Sequence, residues 1–227
     1  MSRTLTLFDL DGTLLSGDSD DYWIQFLIEE GLEDAASARA ANAAIIARYR
    51  DGSVGQAEFV RFYLRTLKGR PLAQLVKLRD TYMQRKIRPR LRAAGKALVA
   101  RHSAAGELIA LTTATNRFLI ELTARELGFA HAIAVEPECR GDQFTGNFSG
   151  PINFKEGKVE CLDAWLAARG ERRADFAQIR FYSDSRNDLP LLSAVSHPVA
   201  VDPDATLRAY AEKNGWPIIS LADPPGP

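Results

Sequence analysis

Short apolar runs alternating with longer amphipathic segments predict an α/β protein, with a parallel sheet covered by helices on both faces. Three observations carry that expectation. Strand-like runs recur from Thr4 to Ile219, each followed by a turn cluster or a helical pattern. Two of these runs end in aspartates. A stretch of roughly 70 residues after the first run holds helical patterns alone, which predicts an all-helical insert.

The elements follow in order. Thr4–Phe8 reads as a strand that meets a turn signal at Asp11-Gly12. From about Ser19 to Ile87 the apolar residues fall at helical spacing. They do so at Tyr22, Trp23, Phe26 and Leu27, along the Ala-rich run 35–49, at Phe59, Phe62, Tyr63 and Leu67, and at Leu72, Leu75, Val76, Leu78 and Tyr82. Gly31, Gly52, Gly55 and Gly69-Arg70-Pro71 punctuate these helices. Residues 107–113 read as a buried strand, and 116–127 as a helix stopped by Gly128. Further short strands are expected at 132–135, 179–182 and 198–201, and the Gly-Asp and Gly-Asn turns within 138–150 predict a hairpin. Asp204 suits the N-cap of a helix ending near Asn214-Gly215, and Ile218-Ile219 closes the series as a last strand. The expected division is a core of 1–16 and 88–227 with a helical cap of 17–87, the chain crossing between them near 15–17 and 87–90.

Composition narrows the function classes. The chain of 227 residues balances 29 basic against 29 acidic side chains, so nothing draws it to nucleic acid or an anionic membrane. Cys139 and Cys161 form no disulfide framework, and His102, His131 and His197 match no metal-ligand spacing. The apolar run after Met-Ser-Arg is short and leads straight into Asp9, so it reads as neither a signal peptide nor a span; a cytoplasmic protein is expected. The expected partner is a small molecule, and the sequence leaves oligomeric state open.

Asp9 and Asp11 stand two apart at the C-terminal end of the first strand and point to one side, where open parallel sheets bind ligands. An Asx turn is the structural alternative. The strand at 179–182 also runs into carboxylates, Asp184 and Asp188, the second placed in the first turn of the next helix. Four carboxylates at one point require a positive partner, and oxygen donors suit Mg²⁺. Thr113 and Ala114, between strand and helix, offer a hydroxyl and backbone N–H groups as an oxyanion cradle. Lys155 and Lys158, just before a helix, offer the countercharge.

In this order the motifs resemble the haloacid dehalogenase superfamily, in its phosphoserine-phosphatase-like branch. Asp9 and Asp11 match the first motif, Thr113 the second, Lys158 (or, shifted, Lys155) the third, and Asp184 with Asp188 the fourth. The resemblance implies a three-layer Rossmann-like core with a type 1 helical cap and a Mg²⁺-dependent phosphomonoesterase. It implies Asp9 as nucleophile, Asp11 as general acid and base, and Thr113, Ala114 and Lys158 around the phosphate. Mg²⁺ would sit on Asp9, the Asp11 carbonyl, Asp184 and Asp188. A phosphomutase shares these motifs, and an idle phospho-ligand binding protein is the non-enzyme alternative.

Substrate choice falls to the cap. Asp18 stands where the branch binds a substrate ammonium, although Asp18, Ser19 or Asp20 equally suits the cap of the first inserted helix. Tyr63 falls where phosphoserine phosphatases carry an arginine for the substrate carboxylate, with Arg61 and Arg65 on other faces of the helix. This disfavours phosphoserine and favours an amino-alcohol phosphate. Gly17-Asp18-Ser19-Asp20 with Thr113-Ala114-Thr115-Asn116-Arg117-Phe118 resembles the bacterial histidinol-phosphatases of the branch. Tyr22, Trp23, Phe59 and Tyr63 are candidates to stack on an imidazole, or simply core residues.

Overall fold

The computed structural model describes residues 3–51 and 53–222, so Gly52 lies outside it. Seven strands form one sheet: β1 Thr4–Phe8, β2 Leu108–Asn116, β3 Ala132–Arg140, β4 Gln143–Ser149, β5 Gln178–Ser183, β6 His197–Val201 and β7 Ile218–Ile219. Their order is β4-β3-β2-β1-β5-β6-β7. Each neighbouring pair is parallel except β3 and β4, the expected hairpin. The chain builds outward from β1 through β2 and β3, then returns to β5 on its other side. The switch in direction opens a crevice at the C-terminal ends of β1 and β5, which is where the aspartates stand.

Strand periodicity sorts the side chains into two layers. Leu5 and Leu7 of β1, with Ile179 and Phe181 of β5, pack against α7 (Gly157–Ala168), α8 (Leu189–Ala194) and α9 (Ala205–Asn214). Phe8 and Tyr182 point the other way, with Leu98 and Val99 of α5 (Ala93–Ala104) and Leu119 and Ile120 of α6 (Arg117–Glu126). The result is the three-layer α/β/α core. Asp204 caps α9 by accepting from Leu207 N–H at 2.8 Å, and Gly215 ends it in the left-handed region at φ 67°.

Between β1 and α5 the chain is helical, as expected. It forms α1 (Ser19–Glu29), α2 (Ala35–Asp51), α3 (Gln56–Leu64) and α4 (Leu72–Tyr82), and α4 runs on through a π turn at Met83–Ile87 and a 3-10 turn at Arg88–Arg90. The two crossings lie side by side. Ser16 N–H donates to Arg90 O and Arg92 N–H to Leu14 O, both at 2.9 Å, with Leu15 and Leu91 paired antiparallel. Trp23, Phe26, Leu64 and Tyr82 join the same buried cluster as Phe8, Leu10 and Phe118. Only a small group around Ile24, Ile45, Val54 and Tyr63 is separate, and it holds α2 in place.

Four boundaries depart from the sequence reading. β2 continues past Thr113 to Asn116 through a register shift, because Thr112–Asn116 keeps its pairing with β3 despite its turn-like composition. β3 extends to Arg140, since the hairpin packs on α3 and the turn that follows it. Asp188 precedes α8 in a short 3-10 turn instead of lying in the helix, and Lys158 is the second residue of α7, not a residue before it.

Candidate active site

The site grows from the end of β1. Asp9 N–H donates to Tyr182 O at 2.9 Å, carrying the β1–β5 ladder one residue beyond Phe8 and fixing the Asp9 backbone. The chain then turns through Gly12, whose φ of 75° suits glycine. A Cβ there would come within 2.1 Å of Asp184 Oδ2, so glycine also makes room for that carboxylate. Thr13 Oγ1 donates to Asp184 Oδ1 at 3.1 Å.

Lys158 stands between two aspartates. Its Nζ lies 2.8 Å from Asp9 Oδ1 and 2.7 Å from Asp188 Oδ1, with all three side chains buried. Ser183 Oγ adds a donation to Asp188 at 2.7 Å. Lys155 takes a different course. Its backbone adopts φ 48°, and its ammonium rests over the rings of Phe154 and Tyr49 at 5.4 and 5.7 Å. Of the two candidate lysines, Lys158 is the one that meets the carboxylates.

Asp11 faces the insert. Its Oδ1 accepts Ser19 N–H at 2.6 Å, at the start of α1, and its Oδ2 accepts the hydroxyls of Thr115 at 3.1 Å and Thr113 at 3.5 Å. Asn153 ties down the β2 end from below: its Nδ2 donates to Thr113 O and Ile133 O, both at 2.8 Å. The sequence reading holds Ser19 and Thr115 only within longer motifs and gives Asn153 no role of its own.

These groups line one cavity of about 480 Å³. Asp9, Asp11, Thr113, Ala114, Lys158, Asp184 and Asp188 lie on its sheet side, and Asp18, Asp20, Asp21, Tyr49, Phe59 and Tyr63 on its insert side. Asp18 caps α1, accepting Asp21 N–H at 2.9 Å, and lines the cavity. Tyr63 presents its ring, but its hydroxyl donates to Asn42 Oδ1 at 3.2 Å inside the insert. Of the other stacking candidates only Phe59 lines the cavity; Trp23 is core, and Tyr22 donates to Ser16 O. No arginine lines the cavity among the described residues: Arg61 meets Asn147 and Phe148, and Arg65 lies over Phe62. The Tyr49 hydroxyl accepts from Asn187 Nδ2, joining α2 to the loop that carries Asp184 and Asp188.

The electrostatics are those of a buried site with excess negative charge. Burial raises Asp9 well above the usual carboxylate range, against the pull of Lys158, and the Asp188 and Asp184 charges raise it further. Burial and the Asp188 charge raise Asp184 to about 7; burial also raises Asp11. Desolvation and the Asp11 carboxylate raise Asp18 to about 7. For Lys158 burial works against the charge, but Asp188 and Asp9 outweigh it and hold the ammonium firmly protonated. An oxygen-only set with one lysine against four carboxylates fits a hard divalent cation in its donor chemistry and its excess charge. Among the described residues no three acidic, histidine or cysteine groups already stand in a ligating arrangement.

Known proteins share this architecture. The chain is 38% identical over 220 residues to a histidinol-phosphatase of Neisseria meningitidis serogroup C (strain 8013), an alignment spanning 96% of this chain and 99% of that one. A solved protein of unknown function from Bordetella pertussis Tohama I superposes with a TM-score of 0.94 at 42% identity, over 98% of this chain and 100% of that one. A phosphoserine phosphatase solved as a phospho-aspartyl intermediate analogue has the same fold, with a TM-score of 0.68 at 17% identity over 98% and 95% of the two chains. No helix among the described residues is long and apolar enough to cross a membrane. Residues 6–193 match the family model of haloacid dehalogenase-like hydrolases, and the chain belongs to that family.

Proposed function

We propose that the chain is a phosphomonoester hydrolase that works through an aspartyl phosphate on Asp9, with histidinol phosphate as its substrate. The observation that carries the reaction is the contrast between two carboxylates on one strand end. Asp9 touches the Lys158 ammonium at 2.8 Å, whereas Asp11 is held by neutral donors, Ser19 N–H and Thr115 Oγ1. A carboxylate held against an ammonium serves as nucleophile, and a carboxyl held only by neutral donors is the one that carries protons.

A carboxylate oxygen of Asp9 attacks phosphorus, and the bond to the leaving oxygen breaks as Asp11 gives that oxygen its proton. Asp11, now ionised, takes a proton from a water that attacks the aspartyl phosphate. Inorganic phosphate leaves, with Asp9 and protonated Asp11 restored. Lys158 Nζ, Thr113 Oγ1 and the Ala114 N–H hold the phosphoryl oxygens, as preorganised donors at a site of developing charge. Asp9, the Asp11 carbonyl, Asp184 and Asp188 would hold Mg²⁺, which when bound supplies the positive charge that lets one anion approach another. Residues 17–87 act as the cap over a core of 1–16 and 88–227, keeping bulk solvent from the site apart from the water that Asp11 activates.

The cavity supports the substrate reading through what lines it. An acidic insert wall with Asp18 suits an ammonium, and the absence of an arginine among the described lining residues leaves a substrate carboxylate without a partner. Phe59 and Tyr63 line the cavity and offer aromatic surface to an imidazole. The 38% identity to a histidinol-phosphatase points the same way. Phosphate release from histidinol phosphate, phosphoserine and p-nitrophenyl phosphate in Mg²⁺ tests it. Preference for histidinol phosphate is expected; equal or better turnover of phosphoserine would remove the substrate, and isomerisation without phosphate release would replace the hydrolase by a mutase.

A further inference from the structure

Four carboxylates face the insert end of the cavity: Asp11, Asp18, Asp20 and Asp21. Three have donors. Asp11 accepts Ser19 N–H and Thr115 Oγ1, Asp18 accepts Asp21 N–H, and Asp21 accepts Asn42 Nδ2 at 2.6 Å and Gln25 Nε2 at 2.7 Å. Asp20 differs. It is only 8% exposed, and its Oδ1 has no hydrogen-bond partner. Its Oδ2 has the Thr115 hydroxyl at 3.5 Å, a proton that lies closer to Asp11 at 3.1 Å. A buried carboxylate so poorly served is costly unless something else meets it.

Beside Asp20 the cavity narrows into a recess of about 10 Å³ walled by Phe59, Tyr63, Leu64, Ala114 and Val135. Its other polar side chains are engaged. The Tyr63 hydroxyl goes to Asn42, and Asn116 Oδ1 accepts Leu119 N–H at 3.2 Å as the cap of α6. Among the described residues Asp20 is the one acidic side chain of the recess.

We propose that Asp20 determines specificity by accepting a second N–H donor of the leaving group, one carried on a flat ring lying in the main cavity beside Phe59 and Tyr63, beyond the ammonium that Asp18 faces. This rests on the phosphatase reading and deepens it to a substrate class: phosphate esters of amino alcohols whose far end is an N–H heterocycle. A hydrogen bond to a buried carboxyl otherwise short of donors discriminates by about 10- to 100-fold against a ring without the donor.

The test compares histidinol phosphate with phenylalaninol phosphate, which keeps the ammonium and a flat ring but has no ring N–H. Wild-type enzyme, Asp20→Leu, Asp20→Asn and Asp18→Asn are assayed by phosphate release, with p-nitrophenyl phosphate as a substrate lacking both nitrogens. Asp20→Leu should bring kcat/KM for histidinol phosphate to within about threefold of that for phenylalaninol phosphate, leaving p-nitrophenyl phosphate within about twofold of wild type. Asp18→Asn should weaken both amino esters alike. Removing an unpartnered carboxyl should also raise the Tm of the ligand-free protein by about 2–4 °C in the Asp20 variants, whereas a structural carboxyl would lower it. A wild-type preference that survives Asp20→Leu, a parallel fall on every substrate, or a lower Tm in both Asp20 variants overturns the assignment alone. Wild-type enzyme that does not prefer histidinol phosphate over phenylalaninol phosphate overturns the substrate reading and the Asp20 assignment with it.

Discussion

Lys158→Met is the most informative single change, because the lysine is wedged between two buried carboxylates. At an effective dielectric of about 20, an ion pair at this separation gains about 6 kcal/mol before desolvation is counted. Desolvation of the three groups offsets much of that, but removing the cation alone leaves Asp9 and Asp188 facing each other without it. Removing one partner of a buried pair costs about 3–5 kcal/mol. For a chain of this length that is a fall in Tm of roughly 6–20 °C. The loss should depend on pH, and the sign follows from Asp9. Without Lys158 the chief influence lowering its pKa is gone, and burial, Asp188 and Asp184 all raise it. A carboxyl raised in the folded state binds its proton more tightly folded than unfolded, so stability holds at low pH and falls as pH climbs from the ordinary carboxylate range toward the raised value. Circular dichroism melts in EDTA at pH 5 and pH 8 should show the larger deficit at pH 8, and adding Asp9→Asn should recover part of it. A variant as stable as wild type at pH 8, or a deficit equal at the two pH values, would refute the buried-charge reasoning.

Asp9→Asn should lower turnover by at least about 10³-fold with an unchanged far-UV spectrum, and wild-type-like hydrolysis would reject Asp9 as nucleophile. In EDTA the wild-type Tm should fall between pH 5 and pH 8, because Asp184 and Asp18 stand near 7 in the fold, above their unfolded values. Millimolar Mg²⁺ should flatten that slope and restore activity; a Tm that rises over this interval in EDTA contradicts the raised carboxyls. Gly12→Ala forces a Cβ toward Asp184 and an unfavourable φ, so it should cost about 1–3 kcal/mol and shift Mg²⁺ activation to higher concentration. An unchanged activation curve would detach Asp184 from the cation.

The strand ends were legible because carboxylates closing apolar runs are chemically conspicuous, and the sheet periodicity followed from simple alternation. α5 was not: Gly95 packs against Leu14 and its alanines blur any apolar stripe, so Ala93–Ala104 shows no helical signature. Residues 114–116, read as the join between strand and helix, become strand only through pairing with β3. Lys155 and Lys158 are three apart, a spacing that would put them on one helix face. The left-handed backbone at Lys155, set before α7 begins, turns that side chain onto aromatic rings. Asp18 and Asp20 sit in one polar run, and only depth separates the capped residue from the buried one without a donor.

Trp23, Phe26, Leu64 and Tyr82 share a buried cluster with Phe8, Leu10 and Phe118, so the inserted helices have no complete interior of their own. Heat should melt insert and sheet in one cooperative transition, and a severed 17–87 fragment would expose its apolar face instead of folding. α2 is the exception. Asn42 and Ile45 are its only buried side chains among those described, and its Tyr49 reaches the Asp184–Asp188 loop through a single polar contact with Asn187. Local unfolding therefore costs least at α2. Lifting that one helix, with the rest of the roof staying bolted to the sheet, would open the cavity at the least cost.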